Sequence, residues 1–586
     1  LGDILSYQRQ HIIPVFQRPY SWTMKNWRAL WTDIQALIHE GDKSPEHFLG
    51  PMIIDHGDTG SYVPEKYLVI DGQQRLVTLS ILLCTLRDIA RKHEIEHFAS
   101  SVDELMSFRT TEGKSERRVL PRESDRTVFE LIVNSRSTSL YNSHLIVKAY
   151  KYFLGQVRKE LRTGERDTFD YLNEMYKVIV ARIKFVSITL EDQDDPTKIY
   201  ESMNFKTKLL LVADLIRNYA LMHLPASEMQ DEFFHKEWEP FEQLFGENDN
   251  KQLNTKELED FYYRYLIAKR EYFAKRLVYS KFKDEYEDYV RNARRDIDGD
   301  EAQEKAKLEA LRKLVEDQKR FATYYRRIVH PELEPCTRLR AAFERFDHLD
   351  AKTAIPLLMS VYERYFCQQH PQHISRDEFL RIMNAVESFI LRRSILRLRT
   401  RGYGLDFAQA KDNCATLEQL WGHFDIKDWP SDNAIEEALI EFPLYQRERK
   451  KARLILQELE KSFGHKEQPD ISDPSKIQTE HIMPRKEDIS PAWQEMLGDN
   501  ADEIHAKYLH TLGNLTLSGY NQELGAKSFQ DKQTVYADIG SNLELNKYIL
   551  KQDQWTEAEI TERASHLTER FIEIWPRPET PKRAQS

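Results

Sequence analysis

The sequence predicts a mostly α-helical protein with smaller α+β parts toward its two ends, and three observations lead there. From about Glu228 to Lys461 nearly every stretch is amphipathic at helical spacing, rich in Leu, Tyr, Glu, Lys and Arg and poor in glycine. Two short β-rich runs near the other end, Pro51-Met52-Ile53-Ile54-Asp55 and Tyr67-Leu68-Val69-Ile70, flank a turn region of Gly, Asp and Ser. At the far end an acid and a histidine share a short strand, Thr479-Glu480-His481-Ile482-Met483-Pro484. An amide-rich turn follows it, Leu512-Gly513-Asn514-Leu515-Thr516-Leu517 and then Asn521. A chain of 586 residues is too long for one core. The expected division is 1–225, 226–430 and 431–586, the last boundary resting on a composition shift that ends near Phe442-Pro443.

Taken in order, Ser21 or Thr23 caps a first helix in which Trp27, Leu30, Trp31, Ile34, Leu37 and Ile38 recur at helical spacing. Leu76 to Arg91 is helical again, and Phe185-Val186-Ser187-Ile188-Thr189-Leu190 reads as a strand. Helix-like segments follow around Ile199 to Asn204 and Val212 to His223. The charged segment Asp284 to Lys319 is a solvated helical face or an exposed connector. A basic helix with Arg447, Arg449, Lys450, Lys451 and Arg453 leads toward the C-terminal motifs.

Hydrophobic residues make up 40% and charged residues 31%, with no apolar run long enough to span a bilayer. That composition describes a soluble globular protein, and the cytoplasm is its expected compartment. Cys84, Cys336, Cys367 and Cys414 lie far apart, which suits a reducing cytosol and excludes a cysteine-built zinc site or a disulfide framework. The opening Leu1-Gly2-Asp3-Ile4-Leu5 is neither a signal peptide nor an initiator, so a short N-terminal piece is expected to be missing. A net charge of −11 neither favours nor excludes nucleic acid, because binding depends on local patches.

Phosphodiester hydrolysis needs a base to activate water and a cation to stabilise charge on the phosphate and leaving oxygen. The acid–histidine strand followed by an amide-rich turn has the layout of a ββα-metal (HNH-type) nuclease. His481 is then the base, and Glu480 a ligand for one Mg²⁺-type ion, which prefers hard oxygen donors. Strand neighbours point to opposite faces, so both serve one site only if the strand kinks, and Pro484 fits an irregular strand end. Asn514 would orient the His481 ring, Asn521 would complete the metal site, and Lys527 would contact phosphate. A lone Glu–His pair is an ordinary surface feature. The specificity comes from EHIMPR together with LGNLTLSGYNQELGAKSF at that spacing.

The strand Tyr67 to Ile70 delivers Asp71-Gly72-Gln73-Gln74-Arg75 directly into a helix. Gly72 permits close backbone approach, and the helix N-terminus offers free N–H groups to an anion. Arg75 can clamp phosphate and Asp71 can hold a metal ion or water. Taken alone, the same five residues also read as a polar helix cap. Ile13-Pro14-Val15-Phe16-Gln17-Arg18-Pro19-Tyr20-Ser21-Trp22 packs aromatic and polar groups too densely for simple core, and a third stretch ends in Ala213-Asp214-Leu215-Ile216-Arg217-Asn218. No GxxxxGK[ST] occurs, so any NTP hydrolysis would not use the Walker mechanism.

Both ends resemble one family, the GmrSD-type modification-dependent (type IV) restriction proteins. The HxxP motif and the LGNLTL…N…K block are the catalytic signature of its nuclease domain. Family members often carry Asp where this chain has Glu480. The family's N-terminal motifs, IPxFQRxYxW, DGQQRL and DLIKN, belong to a ParB/sulfiredoxin-like α/β domain associated with NTP hydrolysis. Carried over, Gln17, Arg18, Asp71, Gly72, Gln74 and Arg75 form a nucleotide site, with Asp214 and Asn218 as further candidates. Where the family commonly has an Asn-x-Arg-Gly turn, this chain has Asn204-Phe205-Lys206-Thr207-Lys208, and Lys206 or Lys208 would replace the arginine on phosphate.

The resemblance implies an NTP-responsive endonuclease, dependent on Mg²⁺ or another divalent metal, acting in bacterial defence. Its substrate would be double-stranded phage DNA with hydroxymethylated or glucosylated cytosine, and a homodimer would supply the two cuts of a duplex. The alternatives are a phosphorothioate-sensing NTPase and nickase of the same architecture, or a nucleotide-responsive DNA-binding regulator with an inactive HNH site. Arg392, Arg393, Arg397, Arg399 and Arg401 read equally as a DNA-backbone track or a solvated helix face with partners on neighbouring helices. Tyr262, Tyr263 and Tyr265 read as packing, and His11, His47, His56 and His223 have no metal-ligand spacing.

Overall fold

Strands β1 (Arg9–Ile12), β2 (His47–His56), β3 (Glu65–Asp71), β4 (Val119–Leu120) and β5 (Ile183–Leu190) form a mixed sheet in the order β4-β1-β3-β2-β5. Central β3 runs parallel to β1 and antiparallel to β2, and β2 runs parallel to β5. Alternate residues of β3 serve opposite faces, as the pleat requires. Tyr67 and Val69 join a large core with α1 (Met24–Glu40), α2 (Gln73–Lys92) and α3 (Leu145–Thr163), whereas Ile70 joins Ile53 and Leu190 beneath Leu215 and Met222 of α4 (Val212–Met222). Helix α2 is buried nearly all round, with Leu76, Leu79, Leu82, Leu83 and Leu86 inside together with Thr78, Ser80 and Thr85, which is the pattern of a helix at the centre of a core.

This description comes from a computed structural model, which describes residues 1–40, 46–56, 64–163, 166–190, 211–224, 227–247, 252–295, 297, 299–464, 471, 473, 476–485, 489–538 and 543–577. The Ile199–Asn204 segment and the Asn204–Lys208 departure lie outside those residues. The chain divides into two compact units, Leu1–Glu259 with Val278–Glu316, and Asp260–Leu277 with Asp317–Ser586. The mixed sheet belongs to the first.

His11, on β1, is buried and stacks on Tyr67 with ring centroids 5.7 Å apart. Burial pushes its pKa down to about 4. Below the ordinary histidine value of about 6.5 the unfolded chain takes a proton that the folded chain refuses, so stability falls as pH drops from there toward 4. His11→Phe keeps the stack and removes the titration. It is expected to abolish roughly 2 kcal/mol of the stability lost between about pH 8 and about pH 5, read from denaturant midpoints.

Among its described residues the second unit is helical apart from one small ribbon. It contains α5 (Arg376–Ile395), α6 (Leu444–Arg447), α7 (Arg449–Ser462), β6 (Gln478–His481), β7 (Leu515–Ser518), α8 (Asn521–Leu524), α9 (Phe529–Asp538) and α10 (Glu557–Ile574). The expected fold class, mostly α with smaller α+β parts, is the one observed. Tyr262 and Tyr265 are packed as expected, the Tyr265 hydroxyl donating to Asp317 at 2.8 Å.

Arg392 and Arg393 are neither a DNA track nor a solvated face. Both are buried, and both cap backbone carbonyls. Arg392 donates to Trp575 O at 3.0 and 2.9 Å and to Pro430 O at 3.1 Å, while Arg393 donates to Asp428 O and Arg399 O. Glu387, one turn back on α5, accepts from the Trp575 indole at 3.1 Å and from Arg345 at 3.2 Å. Arg397, Arg399 and Arg401 are exposed. Among the described residues no helix is long and apolar enough to cross a membrane.

Candidate functional site

Strands β6 and β7 pair antiparallel, with Glu480 opposite Thr516 and His481 opposite Leu515. The pairing stops at His481, where Asn514 takes over. Its backbone carbonyl accepts from Ile482 N at 3.0 Å and its side-chain oxygen from Met483 N at 2.7 Å. The same amide donates to Leu509 O at 2.8 Å and Met483 O at 3.3 Å, and accepts from the Trp555 indole at 3.2 Å. The expectation that Asn514 orients the His481 ring is therefore corrected. A fully buried amide must satisfy its donors and acceptors locally, and the tight turn places it against backbone, so it fixes the bend beyond the strand instead. The His481 ring meets His510, Nε2 to Nδ1 at 3.1 Å, and lies edge-on to Tyr445 with centroids 4.6 Å apart.

Glu480 forms a buried ion pair with Lys532 of α9 at 3.1 Å, and the same ammonium donates to His481 O at 2.7 Å. Burial raises the Glu480 carboxyl pKa and lowers that of Lys532, each opposing the other's shift. Lys527 is exposed, and its backbone carbonyl accepts from Trp493. Burial, followed by the charges of His510, Arg485, Lys532 and Arg449, pushes the pKa of His481 down to about 3. The imidazole is thus neutral at physiological pH, the state a general base needs.

Glu480 and His481 both border one cavity of about 540 Å³, ringed by Arg449, Arg453 and Arg485. Asn521 lines it too. Its amide nitrogen donates to Thr479 O at 3.2 Å, while its Oδ1 is buried with no hydrogen-bond partner among the described residues. A carboxylate and an unsatisfied amide oxygen are hard donors. Among the described residues no cluster of three or more His, Cys, Asp or Glu could hold a metal. The donor set fits an ion of the Mg²⁺ type, which keeps waters and takes substrate phosphate as further ligands.

In the first unit the three N-terminal motifs converge. Gly72 caps α2 with φ +98°, a conformation that favours glycine. Gln17 is buried, donates to Ile70 O at 3.0 Å and accepts from Gln73 at 3.0 Å. Gln74 accepts from Ser21 N at 2.8 Å and donates to Pro19 O at 3.2 Å, which tethers the aromatic segment to α2. Arg75 reaches Asp71 at 3.3 Å and also bonds Pro51 O. Its guanidinium crosses Gly50 so closely that a Cβ there would lie 2.6 Å from it. Arg18 is half-buried and makes no hydrogen bond or ion pair among the described residues. On α4, Arg217 joins Asp214 at 3.2 Å, Glu242 at 2.7 Å and Phe16 O at 3.2 Å, so the third motif touches the first. Asp214 Oδ2 is buried without a hydrogen-bond partner in the described residues, and Asn218 is buried beside it on the same helix.

Two family models match these two regions. The GmrSD restriction endonuclease N-terminal domain covers residues 1–221, and the GmrSD restriction endonuclease C-terminal domain covers residues 429–570. The chain belongs to the GmrSD restriction endonuclease family. A comparison with curated proteins found no match.

Several residues of this GmrSD chain escaped the motif reading. His510 sits two residues before the quoted LGNLTL block, so extending that block would have found it. Lys532 lies five residues beyond Lys527, and only the packing of α9 under β6 distinguishes the two. Tyr445 and Gly50 carry no sequence signal for their positions against His481 and Arg75.

Proposed function

We propose that this GmrSD protein cuts double-stranded DNA containing hydroxymethylated or glucosylated cytosine, with one divalent metal at the nuclease cavity and an NTP at the N-terminal motifs. What carries the proposal is the single cavity lined by neutral His481, by Glu480 and by Asn521, with three arginines around it. In this reading His481 carries its proton on Nε2, donated to His510 Nδ1 3.1 Å away, and Nδ1 takes a proton from the attacking water. Arg449, Arg453 and Arg485 provide charge for the phosphate on either side of the cut. Glu480 and Asn521 would hold Mg²⁺, whose Lewis acidity would stabilise the leaving oxygen. Lys532 keeps Glu480 in place.

For the N-terminal site, the positive-φ Gly72 at a helix start, with Arg75 and with Arg18, which no described residue engages, supports binding of a nucleotide's phosphates. Two copies of the chain would supply the paired cuts a duplex break requires.

The deciding assay offers plain, hydroxymethylated, glucosylated and phosphorothioate duplexes, in Mg²⁺ with and without NTP. Wild type is expected to cut the modified-cytosine duplexes, and His481→Ala to lose about 10²–10⁴-fold in rate. Equal resistance of all four duplexes to wild type would refute the nuclease reading. Arg75→Ala is expected to lose NTP turnover while keeping the thermal transition of the nuclease end, and unchanged turnover would remove the N-terminal assignment.

A further inference from the structure

Helices α6 and α7 border two cavities. Tyr445, Arg449 and Arg453 line the nuclease cavity, whereas Arg447, Glu448 and Lys451 line a second one of about 640 Å³. Helical neighbours are rotated by roughly 100°, so Arg449 and Arg453 share one side of α7 and Lys451 lies on the other. The end of α5 closes the second cavity with Ser394 and Arg397, and Phe442 forms a wall. A polar network lies at the break between α6 and α7. Ser394 Oγ donates to Glu448 at 2.8 Å, and Lys451 Nζ donates to Ser394 at 3.0 Å and to Glu448 at 2.9 Å. Above it the Arg397 guanidinium lies 5.7 Å from the Phe442 ring centre. Arg397 and Arg447 are both exposed, and neither has a carboxylate partner among the described residues.

Arg397 also occupies a backbone position that suits glycine. Its N–H bonds Ser394 O at 3.1 Å and the next N–H bonds Arg393 O at 2.9 Å, the helix ending in which a left-handed residue is required. Its φ is +55°, a conformation that costs a side-chain-bearing residue about 1 kcal/mol. Asp350, in the same cavity wall, has φ +52°.

The chemistry suits one nucleotide unit: two guanidinium groups for phosphate, an aromatic wall for a base, and hydroxyl and charged groups for polar substituents. The volume lies within the roughly 300–1,000 Å³ of small-ligand pockets. A recess cannot enter a DNA groove, which admits a projecting helix or ribbon. It can receive a base that leaves the stack.

We propose that the second cavity takes a modified nucleotide rotated out of the duplex held at the nuclease cavity. Its phosphate lies between Arg397 and Arg447, and its base packs against Phe442 over the Ser394–Glu448–Lys451 network. This rests on the reading of the chain as a modified-DNA endonuclease, and assigns discrimination to a place apart from the cutting residues. The short α6–α7 stretch then fixes the spacing between the base that is read and the bond that is cut.

The test uses the full chain and a modified duplex that wild type cuts, with 2-aminopurine beside the modified cytosine. In a His481→Ala background, binding is expected to raise the 2-aminopurine fluorescence as its neighbour unstacks. Arg397→Gly suits the backbone, so it is expected to melt no lower than its parent, and Arg447→Gln is an independent second variant. Both are expected to abolish the fluorescence rise and, with His481 restored, to lower kcat/KM on modified DNA at least about ten-fold. The cavity assignment falls, with the endonuclease function intact, if both variants cut modified DNA as wild type does or if the rise persists in them. It falls likewise if no rise occurs on a duplex that wild type cuts, or if the variants weaken binding of plain and modified DNA equally, which would mark a backbone contact. Failure of wild type to cut any modified duplex would instead remove the functional reading and this proposal with it.

Discussion

Lys532→Met is expected to destabilise the nuclease end by about 3–5 kcal/mol, because it strands the Glu480 carboxylate in a buried site without its cation. The variant also loses the bond from the ammonium to His481 O, which ties α9 to the strand carrying His481. Cleavage should fall even at temperatures where the variant remains folded. The double variant Glu480→Gln/Lys532→Met removes the stranded charge and is expected to recover much of the stability but none of the activity. Thermal unfolding of the two singles and the double gives the coupling directly. Additive effects would show that the pair does not hold the site together. An exposed Glu–Lys contact would give well under 1 kcal/mol in the same experiment, so the magnitude decides between them.

Gly513→Ala is the second large effect. The glycine is not needed for a left-handed turn; what excludes a side chain is the approach of α10. A Cβ at Gly513 would lie 2.1 Å from Ile560 O and 3.1 Å from the Ala564 Cβ. Backbone cannot swing aside as a flexible side chain can, so α10 or the turn must move. The expected cost is at least about 2 kcal/mol. The movement would also loosen Arg563, which is buried and donates to Gly513 O at 2.7 Å and Leu515 O at 2.8 Å. Because Asn514 shares that turn, the bend after His481 should loosen as well. The checks are the melting temperature and the cleavage rate below it. A melt within a degree or so of wild type would mean that α10 yields easily.

The parts legible in sequence were those whose meaning is local. Amphipathic spacing announced the helices, and Asp71-Gly72 announced the strand-to-helix turn because one glycine and its neighbours decide it. Glu480, His481 and Asn521 could be read as one site since a short pairing, β6 with β7, brings them together. The illegible parts depend on long-range packing. Nothing in the Arg392-Arg393 pair distinguishes a solvated face from two buried guanidinium groups, since most of the carbonyls that make the difference lie some 35 to 183 residues away. Asn514 was assigned to the correct turn and to the wrong partner, because sequence locates an amide but does not say which of several nearby acceptors it meets. Lys532 carried no comparable signal: helix α9 begins between it and Lys527, and the rotation of that helix sends Lys532 inward while Lys527 stays exposed.

The grip of α5 on Trp575 bears on how this enzyme can be taken apart. A nuclease module trimmed to the motif-bearing end would leave behind Arg392 and Glu387, the groups that hold the backbone and indole of Trp575 where α10 ends. The two severed surfaces would each expose what the other had covered, a charged pair on one and a large ring on the other. Portability therefore stops short of the cutting motif. A working transplant has to carry α5 with it, so the smallest exchangeable piece of this protein is larger than the chemistry alone would suggest.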